Sequence, residues 1–383
     1  MMTLFHGFGL GVAALSACGA LYALVAAILV GRFMRARASA QQAAPPVTIL
    51  KPLYRGEPGL RQNLESFFAQ DYAGKIQIVF GVHDEQDPAL ETVRALQRLY
   101  PNIDTAIVAD DARSGANAKV SNLVNMVPAA RHDILVLSDS DIRVGPDWLA
   151  KVTGALDEPG VGLVTCLYTG RTAPGESNGW TQLSAMGASY DFLPNVVTGT
   201  SLGLAEPCMG STIALSRAVL DEIGGFSAFA DFLADDYEIG QAVRARGYKV
   251  AIPALVVAHT AQEHSFADLW RHELRWMRTI RLVDPVGHAG SVITFTVPLA
   301  LIAAILLDFQ GPGLWILAAS LASRLFLKLR IDANFGEAAG PAWLLPVRDL
   351  VSFSVFVTSL FGATVHWRDD RFSVAPAGIM SQS

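Results

Sequence analysis

The chain has 383 residues, 51% of them hydrophobic and 17% charged, with a formal net charge of −6 and a mean hydropathy of +0.35. That balance is too apolar for an ordinary soluble domain and points to membrane segments, while the negative charge leaves no basic footprint for nucleic acid. Cys18, Cys166 and Cys208 are widely spaced with no Cys-x-x-Cys, so neither a disulfide framework nor a zinc site is expected.

In chain order, residues 4–31 carry no formal charge and are long enough to cross a bilayer. Arg32, Arg35 and Arg37 follow, with no Lys or Arg before them. The positive-inside rule therefore puts the N-terminus outside and the rest of the chain in the cytoplasm. A secretory signal peptide would place its basic residues first, so 1–37 reads as an anchor. Residues 38–46 are a linker. Val47–Leu53 then reads as a strand ended by Pro52, Leu60–Phe68 as a helix, Gln77–Val82 as a strand, Leu90–Tyr100 as a helix and 104–109 as a strand. Gly115–Lys119 opens a third helix, Ile134–Ser138 is a short aliphatic strand, and Val161–Leu167 is a further one. This alternation predicts βαβ units and a parallel sheet, a cytoplasmic α/β domain over 45–285.

A membrane region over 288–370 follows. Ser291–Leu307 and Val351–Val365 are uncharged, and the shorter Leu314–Leu327 carries Arg324, which is expected to snorkel from a helix end. These give about three C-terminal segments, with Pro341–Asp349 lying along the surface. Lys328 and Arg330 assign their connector to the inner side, which leaves Arg368 and Arg371 outside. That conflict with the charge rule suggests a re-entrant or interfacial last segment.

The chemistry-bearing residues sit where this pattern has its edges. The 134–138 strand runs into Asp139-Ser140-Asp141. Ligands in parallel sheets bind beyond the carboxyl ends of the strands, and paired carboxylates suit Mg²⁺ or Mn²⁺ bridging to phosphates. A polar strand-end loop is the plainer alternative. Asp84 and Asp87 end the second strand, either as a turn or as acceptors for a nucleoside. Lys119, in a Gly- and Asn-containing loop before a helix, is placed to meet a diphosphate or else is a surface lysine. Asp235 and Asp236 open a helix, where one carboxylate would cap and the other serve as a general base. Leu269–Arg281 gathers Arg271, His272, Arg275, Trp276, Arg278 and Arg281. It reads either as an interfacial helix against anionic headgroups or as Arg275 and Trp276 closing over a diphosphate.

Taken in order, Asp84, Asp139-Ser140-Asp141, Asp235-Asp236 and His272-Glu273-Leu274-Arg275-Trp276 resemble membrane glycosyltransferases with a GT-A, Rossmann-like fold of the family 2 and 21 type. The ceramide glucosyltransferase group is the most similar. Leu50-Lys51-Pro52-Leu53, Asn63–Phe68, Gly115–Leu123, Asp139–Val144 and His366-Trp367-Arg368 support this. The resemblance covers about 45–285, and within the group the bacterial enzymes associated with hopanoid biosynthesis are the most alike. It implies a UDP-sugar donor and a divalent cofactor on Asp141 and Asp139, with Asp84 at the uridine and Lys119, Arg275 and Trp276 at the diphosphate. Asp236 would be the base of an inverting transfer. It also implies a lipid acceptor, a hopanoid such as bacteriohopanetetrol taking N-acetylglucosamine, or alternatively ceramide taking glucose, in a bacterial inner membrane. Two departures stand out: His272 replaces the usual Gln or Arg, and Tyr190–Asn195 lacks the His-Pro-Arg-like text of animal ceramide enzymes. A processive polysaccharide synthase and a non-catalytic lipid or nucleotide sensor are the remaining alternatives.

Overall fold

The computed structural model describes residues 2–36, 44–362, 364–367, 370–375 and 378–382. Arg37, most of the linker and Arg368 lie outside the described residues. The chain forms two compact units, each assembled from separate stretches.

One unit takes in 36–177, 207–262 and 370–383. Its strands are β1 (Val47–Pro52), β2 (Ile76–Val82), β3 (Asp104–Ala109), β4 (Ile134–Leu137), β5 (Ile142–Arg143), β6 (Val161–Thr165), β7 (Leu167–Thr172), β8 (Ile213–Ser216), β9 (Lys249–Ala251) and β10 (Val256–Ala261). Seven of them form one mixed sheet in the order β3-β2-β1-β4-β8-β6-β9. The β3, β2, β1 and β4 strands are parallel, and β8 is antiparallel to both β4 and β6. Because side chains alternate across a strand, the sheet feeds two cores. Ile49, Ile78, Phe80 and Val136 join helices Leu60–Phe68, Ala89–Leu99 and Trp148–Leu156. Leu50, Val79, Leu135 and Leu137 join helices Ala118–Met126 and Asp235–Ala245. Helices on both faces explain why the strands read as aliphatic runs instead of alternating ones.

The expected α/β fold is present, and β4 lies inside the sheet with its carboxyl end at the acidic triplet. One expected strand, Val161–Leu167, is two. It breaks at Cys166, and β7 leaves for a second small sheet, β5-β10-β7. In that sheet β10 runs parallel to β7 and antiparallel to β5. The segment 378–380 is bonded to the loop before Asp235: Leu233 N donates to Gly378 O at 2.9 Å and Met380 N to Asp231 O at 2.8 Å.

The other unit takes in 1–35, 178–206 and 263–369. Among the described residues, two of its helices are long and apolar enough to cross a membrane, His6–Phe33 and Ala342–Ser359. A pair bent by 62°, Pro285–Thr294 and Thr296–Leu306, would make a third if it is one span. Helix Pro312–Phe335, which covers the expected 314–327 segment, is not among them and carries Arg324, Lys328, Arg330 and Asp332. Arg324 does not snorkel. It is buried and donates to Asp349, to Asp191 and to Tyr190 O. Nor does Pro341–Asp349 lie along the surface: a helix begins at Leu345, and Arg348 and Asp349 are both buried. Arg348 in turn pairs with Asp191 and Glu273. Asp191 itself sits in a π-helical turn, Ala188–Phe192, a local distortion often found at functional positions.

Small hydroxyls join the apolar helices. Ser16 Oγ donates to Thr296 O at 2.9 Å and lies 3.0 Å from Ser320 Oγ, while Thr296 Oγ1 donates to Ser16 O at 3.0 Å. Such contacts hold helices together in lipid, where apolar side chains gain nothing by meeting each other instead of lipid tails. A Cβ on Gly19 would stand 2.2 Å from Ile293 O, so close packing there requires glycine.

Candidate active site at the carboxyl end of the sheet

The residue around which the site closes is Gly210. A Cβ there would lie 3.0 Å from both Asp139 Oδ2 and Lys119 Nζ, and 3.4 Å from Asp236 Oδ2. Three sequence-distant functional groups therefore converge on one glycine. Asp139 follows β4, Lys119 is on helix Ala118–Met126, and Asp236 opens helix Asp235–Ala245.

Lys119 is not a surface lysine. Its side chain is only 13% exposed, and Nζ reaches Asp139 Oδ1 at 2.9 Å and Asp235 Oδ2 at 3.4 Å. Burial pulls its pKa down, but Asp139, Asp235 and Asp236 outweigh burial and hold the ammonium more firmly protonated than usual. Its loop is fixed from the other side, with Asn117 N donating to Ala230 O at 2.7 Å and Ala116 N to Asp231 Oδ1 at 2.9 Å. The Asn117 side chain caps the helix by accepting from Val120 N, and it donates to Phe232 O.

The two helix-opening acids divide differently from the expectation that one caps. Asp235 is buried against Lys119 and the Asn117 amide. Asp236 accepts from Gly210 N and Tyr237 N, both at 2.8 Å. Burial pushes the Asp236 carboxyl up to about 6, with the Asp235 charge adding to it and Lys119 opposing. A carboxylate with that pKa is a working proton acceptor near neutral pH.

Asp139 and Asp141 keep side chains 33% and 25% exposed. Burial nevertheless raises the Asp139 pKa, against the pull of Lys119. Asp141 Oδ2 lies 3.2 Å from His259 Nε2 on β10. Among the described residues no three His, Cys, Asp or Glu side chains form a ready-made cage. Two accessible carboxylates still fit Mg²⁺ or Mn²⁺, which take one or two from the protein and complete their shell with water and phosphate.

Asp84 is exposed, and its Oδ1 accepts from Gln86 N at 2.8 Å, a side-chain-closed turn. Asp87 is buried and serves structure: it accepts from Ala89 N at the head of a helix and from Arg55 N. Arg275 and Trp276 belong to the other unit, on helix Phe266–Val283. In that helix Arg271 pairs with Asp268 at 2.6 Å, and Arg278 donates to Phe361 O and Thr364 O. Arg281 donates to Gly362 O. Arg278 and Arg281 thus serve the carbonyls following helix Leu345–Ser359, where cations are favoured. His272 Nδ1 meets Glu263 Oε1 at 2.5 Å, and its ring stands edge-on to Trp276 with centroids 4.3 Å apart.

Three contributors escape sequence reading. Gly210 carries no functional group. His259 lies in a mostly apolar strand, where a lone histidine looks like core. Lys51 lies in β1 and is fully buried; it belongs to the Leu50–Leu53 stretch that supports the resemblance, but nothing in that stretch gave it a role.

This arrangement, a mixed α/β sheet with an acidic centre at its carboxyl edge, is that of a GT-A glycosyltransferase. The solved mannosyltransferase from Pyrobaculum calidifontis, in complex with GDP-mannose and Mn²⁺, shares the fold. Its TM-score is 0.53 and its identity 19%, over 93% of this chain and 99% of that one. The chain belongs to glycosyl transferase family 21, whose model matches residues 11–380. Ceramide glucosyltransferase 1 of Caenorhabditis elegans is 26% identical over 87% of this chain and 72% of its own length. Ceramide glucosyltransferase 3 of that organism is 28% identical over 87% and 74%. An N-acetylglucosaminyltransferase of Bradyrhizobium diazoefficiens is 22% identical over 63% and 50%.

Proposed function

We propose that this chain is an inverting, UDP-sugar-dependent glycosyltransferase that glycosylates a hydroxyl of a membrane lipid. The observation that carries the reading is the convergence of Asp236, Asp139 and Lys119 on Gly210, with the Asp236 pKa at about 6. Asp236 takes the proton of the acceptor hydroxyl as its oxygen attacks the anomeric carbon. The new C–O bond forms as the bond to the diphosphate breaks, and the electron pair leaves with UDP. One displacement inverts the centre. The backbone N–H groups of Gly210 and Tyr237 hold Asp236 in place for that transfer. Lys119 keeps Asp139 and Asp235 from repelling one another.

Asp139 and Asp141 would hold a divalent ion, Mg²⁺ or Mn²⁺, whose chemistry when bound is to neutralise charge on the leaving diphosphate. Asp84 faces the nucleoside, and Arg275 and Trp276 act on the diphosphate; these three roles rest on the family resemblance. The enzyme sits in a bacterial cell membrane with its transferase unit on the cytoplasmic side, a reading supported by the apolar helices and by the arginines after the first of them.

For the substrates, we read N-acetylglucosamine as the sugar and a hopanoid such as bacteriohopanetetrol as the acceptor. The bacterial N-acetylglucosaminyltransferase similarity supports the sugar. Glucosylation of ceramide is the second reading, favoured by the two nematode relatives. Purified protein offered UDP-glucose and UDP-N-acetylglucosamine with both lipids, and products read by mass, separates them. Sugar on the hopanoid alone supports the first reading and sugar on ceramide alone replaces it. Product on neither contradicts the proposed activity.

A further inference from the structure

The direction of the Asp139 and Asp141 side chains is set by the backbone that carries them, and that backbone is held at every carbonyl. Lys51 Nζ donates to Asp139 O at 2.5 Å, Asn63 Nδ2 to Ser140 O at 3.4 Å, and Thr260 N to Asp141 O at 2.8 Å. The middle side chain is latched too, Ser140 Oγ donating to Glu57 Oε2 at 2.6 Å. Thr260 Oγ1 donates to Asn63 Oδ1 at 3.0 Å, which ties two of the holders together.

We propose that Lys51 is a positioning residue for the donor site, its buried ammonium fixing the acidic triplet so that both carboxylates are preset for a divalent ion and a nucleoside diphosphate. The inference rests on the reading that Asp139 and Asp141 hold that pair. Lys51 is 0% exposed, and lysine is almost never buried without a partner. A chain that needed only to fill this space would use a Leu or Met. The ammonium lies 3.8 Å from the Phe67 ring centroid and 3.5 Å from Ser138 Oγ. It therefore makes a cation–π contact, a charge-assisted hydrogen bond to the triplet and a second, longer polar contact. Burial pulls the Lys51 pKa down to about 7, against the charges of Asp139, Asp141 and Glu57, which favour the ammonium. Groups that orient metal ligands without touching the metal commonly set affinity by about 10- to 100-fold.

The test is calorimetry of Mn²⁺ and UDP binding to the full-length protein in detergent, with wild type, Lys51→Met, Lys51→Arg and Asp141→Asn compared at matched foldedness by thermal melt. Methionine fills the space without the charge. Lys51→Met is expected to weaken Mn²⁺-dependent UDP binding by at least about tenfold and to raise the donor KM more than it lowers kcat. Lys51→Arg should recover part of the loss. A folded Lys51→Met that binds as wild type does, even with a lowered Tm, overturns the proposal and leaves Lys51 a structural group only. Should Lys51→Met not fold, Ser140→Ala decides: it frees the latch to Glu57 and should weaken the same binding several-fold, and unchanged binding overturns the clamp. Asp141→Asn separates the two layers. If it binds as wild type, or if wild type binds no Mn²⁺ and UDP, the metal reading fails and takes the proposal with it. If Asp141→Asn weakens binding and Lys51→Met does not, only the role of Lys51 falls.

Discussion

Each unit buries a cluster of charges, and the two clusters are satisfied in different ways. In the apolar unit Arg324 and Arg348 lie among Asp191, Asp349 and Glu273. Asp191 alone accepts from both arginines and from Ser352. Two arginines meet three carboxylates there, each of them in a direct ion pair that offsets part of the cost of burial. At the sheet edge the match is incomplete. Lys119 serves Asp139 and Asp235, and Asp236 has only two backbone N–H donors and a raised pKa. The lesson is that burial of charge does not by itself mark a site; what sets the sheet edge apart is that three sequence-distant groups meet at one glycine beside two further carboxylates.

The largest expected effect comes from removing the base. Asp236→Asn should lower transfer by about 10²- to 10⁴-fold, the range for a positioned proton acceptor. Donor binding should stay near wild type, and turnover within a few-fold would remove Asp236 from the chemistry. Next, Arg324→Met leaves buried Asp349 and half-buried Asp191 with less positive charge. It should cost about 3–5 kcal/mol of stability, seen as a lower Tm in detergent, with activity per folded molecule retained. A normal Tm with lost activity would reverse the comparison and make the apolar unit's network functional. Gly210→Ala pushes a methyl towards Asp139, Lys119 and Asp236. Small misplacements of this kind cost up to about 10²-fold in rate, so kcat should fall by about 10- to 100-fold with little change in Tm.

The smallest effect is on pH. Asp236 must be ionised to accept a proton, and its pKa is raised to about 6. Transfer is therefore full above that pH and falls as pH drops through it, reaching about a tenth of its plateau one unit below. A kcat/KM profile flat from pH 5 to 8 would show that some other group accepts the proton.

Much of the transferase unit was legible because local pattern and tertiary role agree there. The run at 134–138 reads as a strand buried on both faces and becomes one, and the acids after it stand at the carboxyl edge where ligands bind. The position of Asp236 was legible for a similar reason, since an acidic pair was expected to open a helix and does. What sequence hid depends on distant partners. Arg324 looks like a snorkelling residue until Asp191, 133 residues away, is brought to it. Lys51 looks like a blemish in an apolar strand until it meets the carbonyl of Asp139. The break at Cys166 is invisible because the apolar run continues through it, and only the change of sheet reveals that two strands are present.

The most direct test of the central claim is the stereochemistry of the product. One base and one displacement at the sheet edge require inversion, so an α-linked UDP-sugar must give a β-linked glycolipid. The anomeric proton coupling of the purified lipid product reads this by NMR. A β product is the predicted result. An α product would mean a different route, such as two successive displacements through an enzyme nucleophile, and would contradict the role given to Asp236.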